Sequence, residues 1–264
     1  MEIISSVSVM KKWTEKAGSI AFVPTMGGLH QGHLSLIKLA KESADRAVVS
    51  VFVNPTQFAE NEDFGDYPRT MDADLALLSG LGVDCVFVPE VEMVYPDGLG
   101  GEVDVGEIGQ ILCGKTRPHF FNGVIQVVRR LFEIVRPDVA VFGRKDYQQL
   151  HIIRQFTAGV EIISGGIVRE GDGLAMSTRN QYLSVDERKV AVQLYQTLSQ
   201  LQRGELDRQS AMGQLQVYFR LDYLEVLDAN TLRKITDNTS KIAILCAVFL
   251  GSTRLIDNII FIKG

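Results

Sequence analysis

Residues 19–33 read Ser19-Ile20-Ala21-Phe22-Val23-Pro24-Thr25-Met26-Gly27-Gly28-Leu29-His30-Gln31-Gly32-His33. The stretch Ser19–Pro24 is apolar on consecutive positions, as a strand covered by helices on both faces must be. A glycine-rich turn follows and opens into a helical pattern. Four more short runs rich in Val, Ile and Phe have the strand character: Ala47–Val53, Asp84–Val88, Asp138–Phe142 and Val160–Ile163. Amphipathic stretches separate them. In Asn122–Arg136 the residues Val124, Val127, Val128, Leu131 and Val135 recur at helical spacing, and Pro137 stops the helix. In Arg69–Leu81 the stripe is Met71, Leu75, Leu78 and Leu81, with Asp72 and Asp74 near the positive end of the helix dipole. Strand–helix alternation of this kind predicts an α/β fold with a doubly wound parallel sheet, whose ligands bind outside the carboxyl ends of the strands.

The pattern changes near Gly165–Gly173. One long helical stretch (Val185–Arg203) and a shorter one (Arg208–Phe219) precede three strand-like runs, Leu221–Leu227, Ile242–Leu250 and Asn258–Ile262. The expected division is therefore a larger domain over residues 1–170 and a smaller α+β domain over 171–264, without internal repeats.

The 264 residues carry 27 basic and 32 acidic side chains, a net charge of −5, and no basic block. That balance argues against nucleic acid as a partner. With 46% hydrophobic and 22% charged residues the composition is globular. The longest apolar run, Ile242–Leu250, has nine residues, about half of what a membrane-spanning helix needs. The N-terminal segment, with Glu2 and no continuous apolar stretch, lacks the pattern of a secretory signal. Cys85, Cys113 and Cys246 form neither a zinc pattern nor a disulfide framework, which fits a cytoplasmic location.

Chemistry-bearing residues cluster just after the strands. His30 and His33, two of only four histidines, sit three apart among Gly27, Gly28 and Gly32. Glycines admit a phosphate to the backbone, and two imidazoles at this spacing face the same way and can donate to phosphate oxygens. A glycine-rich turn with half-exposed histidines is the plainer alternative. Zinc is another, although no third and fourth ligands are evident. After the second strand comes Asn54-Pro55-Thr56-Gln57-Phe58, in which Gln57 reads equally as a substrate-binding amide or a polar loop residue. After the fourth comes Gly143-Arg144-Lys145-Asp146-Tyr147-Gln148-Gln149. Lys145 could meet a phosphate, Asp146 could cap a helix or accept from a ribose, and Gln149 could share the pocket; a solvated charged run is the alternative. Met176-Ser177-Thr178-Arg179-Asn180 offers two hydroxyls and a guanidinium, either a triphosphate clamp able to close as a lid or a helix-capping turn. Gly109–Thr116 matches the P-loop spacing letter for letter. The Gly- and acid-rich stretch Gly100–Ile108 before it, and Pro118 after it, contradict the strand and helix that a P-loop requires, and the segment reads as a loop.

Taken together, PTMGGLHQGH, FVNPTQF, YPRT, GRKDYQQL, LAMSTRN and GSTRLIDN resemble the pantothenate synthetase (pantoate–β-alanine ligase) family, across nearly the whole chain. The resemblance implies a Rossmann-like fold of the class I nucleotidyltransferase type. It implies ATP-dependent joining of pantoate and β-alanine through a pantoyl adenylate, with release of AMP and pyrophosphate. It implies ATP contacts at Met26, Gly27, Gly28, Leu29, His30, Gln31, Gly32 and His33, with His33 as acid to the leaving pyrophosphate. Gly143, Arg144, Lys145, Asp146, Val168, Met176, Ser177, Thr178 and Arg179 would complete the nucleotide site, with Lys145 catalytic and Mg2+ carried on the phosphates rather than in a protein metal site. Gln57 and Gln149 would hold pantoate, and Gln57 would lie near the β-alanine amine. The first domain would bind ATP and pantoate, the second would act as a lid, and the chain would form a homodimer. Gly28 replaces a common Ala, Thr178 replaces a Ser, and Arg117–Gly123 departs from the family's Pro-Gly-His-Phe, so His119 receives no role. A related nucleotidyltransferase acting on a phosphorylated substrate would need more basic residues. A nucleotide sensor would not need the histidine, lysine and arginine set together.

Overall fold

A computed structural model describes residues 1–59, 62–99, 101 and 103–263. Gly100 and Glu102, from the stretch preceding the P-loop-like motif, and Gly264, the last residue of the expected second domain, lie outside the described residues. The elements in chain order are β1 (Glu2–Ile4), α1 (Val7–Thr14), β2 (Ile20–Thr25), α2 (Gln31–Ser43), β3 (Arg46–Val51), α3 (Met71–Gly80) and β4 (Cys85–Phe87). Then come α4 (Val91–Val94), α5 (Cys113–Thr116), α6 (Phe120–Val135), β5 (Val139–Gly143), α7 (Tyr147–Phe156) and β6 (Glu161–Gly165). The chain ends with α8 (Val185–Ala191), α9 (Gln193–Gln202), α10 (Arg208–Tyr218), β7 (Arg220–Asp228), β8 (Lys241–Leu250) and β9 (Thr253–Ile262). Two compact units result: Met1–Arg144 with Gln149–Gly166, and Lys145–Gln148 with Ile167–Gly264.

The first unit is built on a parallel sheet in the order β1-β4-β3-β2-β5-β6. Alternation along β2 shows why its run had to be apolar. Ala21 and Val23 pack with Leu34, Ile37 and Ala40 of α2 and Leu78 of α3, whereas Phe22 meets Phe132 of α6 edge to face on the other side. The chain leaves β2 toward β3 and later returns to β5 on β2's opposite edge. That reversal makes the carboxyl end of β2 the topological switch point, where such sheets bind ligands. The strand β1, only three residues long at the sheet edge, carries too little pattern to be read from sequence.

α6 ends where Pro137 requires, with Arg136 in the left-handed conformation at its C-cap. The P-loop-like segment forms a 3-10 turn (Glu107–Gly109) and the four-residue α5, not a strand-loop-helix. Its glycines serve packing: a Cβ on Gly114 would lie 1.8 Å from the Gly109 carbonyl oxygen.

In the second unit the antiparallel sheet β7-β8-β9 is covered by α8, α9 and α10 around Leu194, Leu198, Leu215, Ile244, Cys246 and Val248. The single helix expected over Val185–Arg203 is broken at Val192. That residue keeps helical angles (φ −63°, ψ −23°), so the side-chain periodicity continues through the break.

Gly123 of α6 lets that helix lie directly against the 3-10 turn Pro55–Gln57. A Cβ there would fall 2.2 Å from the Thr56 carbonyl oxygen. Gly123→Ala therefore costs about 1–3 kcal/mol, the range for overpacking a filled site. Thermal unfolding followed by circular dichroism should show a lowered midpoint. An unchanged midpoint would mean that the helix–turn contact is not tight.

Candidate active site

In the first unit, the turn after β2 is held from both sides. The Thr25 hydroxyl donates to the Ser50 carbonyl (2.7 Å) and accepts from the Gly27 amide (3.2 Å). Gly27 and Gly28 have φ of 81° and 61°, the left-handed region that glycine enters without a Cβ penalty. The Asp74 carboxylate, buried in the first turn of α3, accepts from the amides of Gly28 (2.9 Å) and Leu29 (2.8 Å). In sequence Asp74 is an acid of the first helical turn, and these partners lie more than forty residues upstream of it. Both amides are taken up by Asp74 in this structure.

His30 is the N-cap of α2, and its Nδ1 accepts from the Gly32 amide (3.1 Å). His33 completes a capping box, its Nδ1 accepting from the His30 amide (3.3 Å). The ring centroids are 4.1 Å apart. A ring nitrogen that accepts carries no hydrogen, so this network assigns the proton of each neutral imidazole to Nε2. Helix capping thus uses the Nδ1 edge of both rings.

Gln57 is oriented by neighbours rather than free in a loop. Asn54 Nδ2 donates to Gln57 Oε1 (3.2 Å), and Gln57 Nε2 donates to the Met26 sulfur (3.0 Å). Asn54 is itself buried, its Oδ1 accepting from the Tyr95 hydroxyl (2.8 Å) and its Nδ2 also reaching the Gly123 carbonyl (3.2 Å). Burial pushes the Tyr95 phenol up from its ordinary value. Arg117 donates to the Gln57 carbonyl (3.1 Å), pairs with Glu62 and lies 3.9 Å from the Phe120 ring centroid. Burial alone would raise the Glu62 carboxyl, but hydrogen bonding and charge from Arg117 outweigh it and hold the group below its ordinary value. Asn54, Tyr95 and Arg117 were not singled out from sequence; the Asn-Pro pair beside Gln57 was the available signal. Gln149 is half-buried on α7.

In the second unit, Lys145 Nζ donates to the Met176 carbonyl (3.5 Å), bringing together two positions far apart in sequence. Val168 accepts from the Met176 amide (3.0 Å), closing a hairpin whose far end is pinned by the Glu170–Leu174 pair. Ser177 caps the 3-10 helix Thr178–Tyr182, its hydroxyl oxygen accepting from the Arg179 amide (3.3 Å). The capping alternative is thus realised, and the hydroxyl proton remains to be donated elsewhere. Gly143 ends β5, and Arg144, Lys145 and Asp146 form the 3-10 turn that follows. Among the described residues no group of three or more His, Cys, Asp or Glu side chains is arranged to hold a metal ion.

A family model for pantoate-beta-alanine ligase matches residues 2–260. The chain belongs to the pantoate-beta-alanine ligase family. Pantothenate synthetases of Vesicomyosocius okutanii and Ruthia magnifica are each 58% identical, over 98% and 97% of this chain and 96% of their own lengths. The crystal structure of pantothenate synthetase from Thermus thermophilus superposes with a TM-score of 0.91 at 40% identity, covering 98% of this chain and 99% of that one. The family enzyme of Francisella tularensis, crystallised in complex with beta-gamma ATP and β-alanine, gives 0.84 at 34% identity, covering 100% and 99%. These neighbours share the doubly wound parallel sheet with its small antiparallel companion.

Asp74→Ala would strand two amides of the turn, a loss of about 1–3 kcal/mol for each buried donor left unpaired. Stability and ATP affinity should fall together, and Asp74→Asn, which keeps one acceptor oxygen, should lose less. Denaturant titration and equilibrium ATP binding on both variants check this; wild-type values for Asp74→Ala would remove the carboxylate from its anchoring role.

Proposed function

We propose that this chain joins pantoate to β-alanine using ATP, through a pantoyl adenylate, with release of AMP and pyrophosphate. Family membership supports the reaction class. The observation that carries the residue assignment is the Gln57–Met26 contact, which sets a substrate-type amide directly against the nucleotide turn. In the first step a pantoate carboxylate oxygen bonds to the α-phosphorus as the bond to the bridging β-phosphate oxygen breaks. Pyrophosphate leaves. In the second, the β-alanine amine attacks the acyl carbon, AMP departs with the former carboxylate oxygen, and the amine nitrogen loses a proton.

Gln57 and Gln149 hold pantoate by amide hydrogen bonds, and Gln57 also lies near the incoming amine. Met26 through His33, Gly143 through Asp146, Val168 and Met176 through Arg179 bind the nucleotide. Lys145 opposes charge gathering on the phosphates, the kind of aimed stabilisation worth most in a desolvated site. His33 contributes its Nε2–H as a hydrogen-bond donor to the departing pyrophosphate. His33 is the acid proposed for the leaving pyrophosphate, acting from Nε2 while Nδ1 accepts from the His30 amide. The nucleotide acts as its magnesium complex. Mg2+ commonly binds through phosphate oxygens with only one or two carboxylates, so it needs no protein cage.

The proposed location is the cytoplasm. Cys85, Cys113 and Cys246 are buried free thiols, which suits a reducing compartment, and burial pushes Cys85 up to about 12. No helix among the described residues is long and apolar enough to cross a membrane. A homodimer is proposed on the family resemblance.

Exchange of labelled pyrophosphate into ATP tests the reaction. It should require pantoate and Mg2+ and proceed without β-alanine, and Lys145→Ala should slow it by roughly 10²–10³-fold, the scale of one lost aimed donor. Exchange that demands β-alanine would contradict the adenylate. ADP and phosphate as products would place the chemistry at the γ-phosphate instead.

A further inference from the structure

The segment Asp257–Asn258, within the late motif of β9, has no role in the reaction as described above, yet it is among the most heavily bonded parts of the second unit. The Asp257 carboxylate is buried and takes both arms of the Arg169 guanidinium, at 2.6 and 2.9 Å. Arg169 also donates to the Gly173 carbonyl (3.0 Å) and stacks on the Tyr195 ring, 3.8 Å from its centroid. Arg169 and Gly173 belong to the hairpin whose Val168 and Met176 pair through backbone, and from which Ser177, Thr178 and Arg179 emerge. The hairpin is tight because Gly173 adopts φ 97°, and a Cβ there would lie 2.5 Å from Tyr195. One side of the two-residue segment therefore fixes the base of the hydroxyl–guanidinium run.

The other side fixes the lysine. Asn258 Nδ2 donates to the Lys145 carbonyl at 2.8 Å, and the Asn258 amide donates to Asp257 at 2.7 Å. The Lys145 backbone is thus tied to the same strand that clamps the hairpin, while its ammonium meets the Met176 carbonyl. Lysine is a point charge on a flexible stem, so its aim depends on where its backbone is held. Two adjacent residues of one strand set both the lysine and the hairpin that faces it.

We propose that Asn258 is a positioning residue for Lys145, with Asp257 holding the Met176–Arg179 run in register beside it through Arg169. This rests on the assignment of Lys145 to the triphosphate made above. Both act through protein partners: Asn258 through the Lys145 carbonyl and Asp257 through Arg169. Their action is to keep the ammonium where charge develops, and misplacing a reactive group by about an ångström costs on the order of 10²-fold in rate.

The test is a double-mutant cycle on full-length enzyme, read by pantoate-dependent pyrophosphate exchange. Asn258→Ala should lower the exchange rate roughly 10- to 100-fold with KM for pantoate unchanged. In a Lys145→Ala background the same substitution should have almost no further effect, because the group it positions is gone. A purely structural asparagine would lower both backgrounds equally, and that additivity would overturn the proposal. So would an Asn258→Ala enzyme of wild-type rate in a chain where Lys145→Ala is slow. If Lys145→Ala itself leaves exchange unchanged, the assignment of the lysine fails, which the cycle reports separately. Should Asn258→Ala not fold, Asn258→Asp replaces it in the same cycle: it is isosteric but offers an acceptor where the Lys145 carbonyl needs a donor.

Discussion

The turn between β2 and α2 is stable because an anionic side chain occupies it. Helix N-termini leave amides unsatisfied, and a glycine-rich turn feeding a helix gathers several in one place. Here Asp74 supplies a carboxylate to two of them, and His30 and His33 supply ring nitrogens to two more. The orientation of the two imidazoles is set by the bonds their Nδ1 atoms accept. Preorganisation of this kind separates a donor that stabilises a transition state from one that must first be ordered.

The same economy recurs around Gln57. Its amide is oriented by Asn54, Asn54 is oriented by Tyr95, and the carbonyl of Gln57 is held by Arg117, whose charge is balanced by Glu62. Gly123 allows α6 to close on this chain of contacts without a side chain in the way. In the second unit the pattern is one of strand support: β9 carries Asp257 and Asn258, and these hold the hairpin and the lysine loop. In both units the proposed site residues are held by polar neighbours that are themselves held in place.

Much of this was legible in the sequence where period and position coincide. Buried strands of the parallel sheet announced themselves as consecutive apolar runs, and the stripe ending at Pro137 located α6 almost to the residue. The P-loop spacing was discounted on its flanks, and the structure shows why two glycines stand there: Gly109 and Gly114 pack backbone to backbone. What sequence could not show is contact between distant segments. Asp74 looks like an ordinary first-turn acid of α3, and nothing local connects it to Gly28. Asn258 was visible only as part of a motif that resembles the family's, and its bond to Lys145 spans over a hundred residues. The break at Val192 escaped because helical angles persist across it. β1 is a three-residue edge strand, shorter than any periodicity can reveal.

The capping box and phosphate donation are compatible only if the neutral rings of His30 and His33 each carry their proton on Nε2. Long-range nitrogen–proton correlation spectra of uniformly 15N-labelled protein, assigned with His30→Gln and His33→Gln, report that state directly. Both rings should show the Nε2–H tautomer in the substrate-free protein and keep it when ATP is added, with the Nε2 resonances moving and the Nδ1 resonances nearly still. A dominant Nδ1–H tautomer at either histidine would contradict this arrangement, because that ring could then neither cap α2 nor present its donor outward.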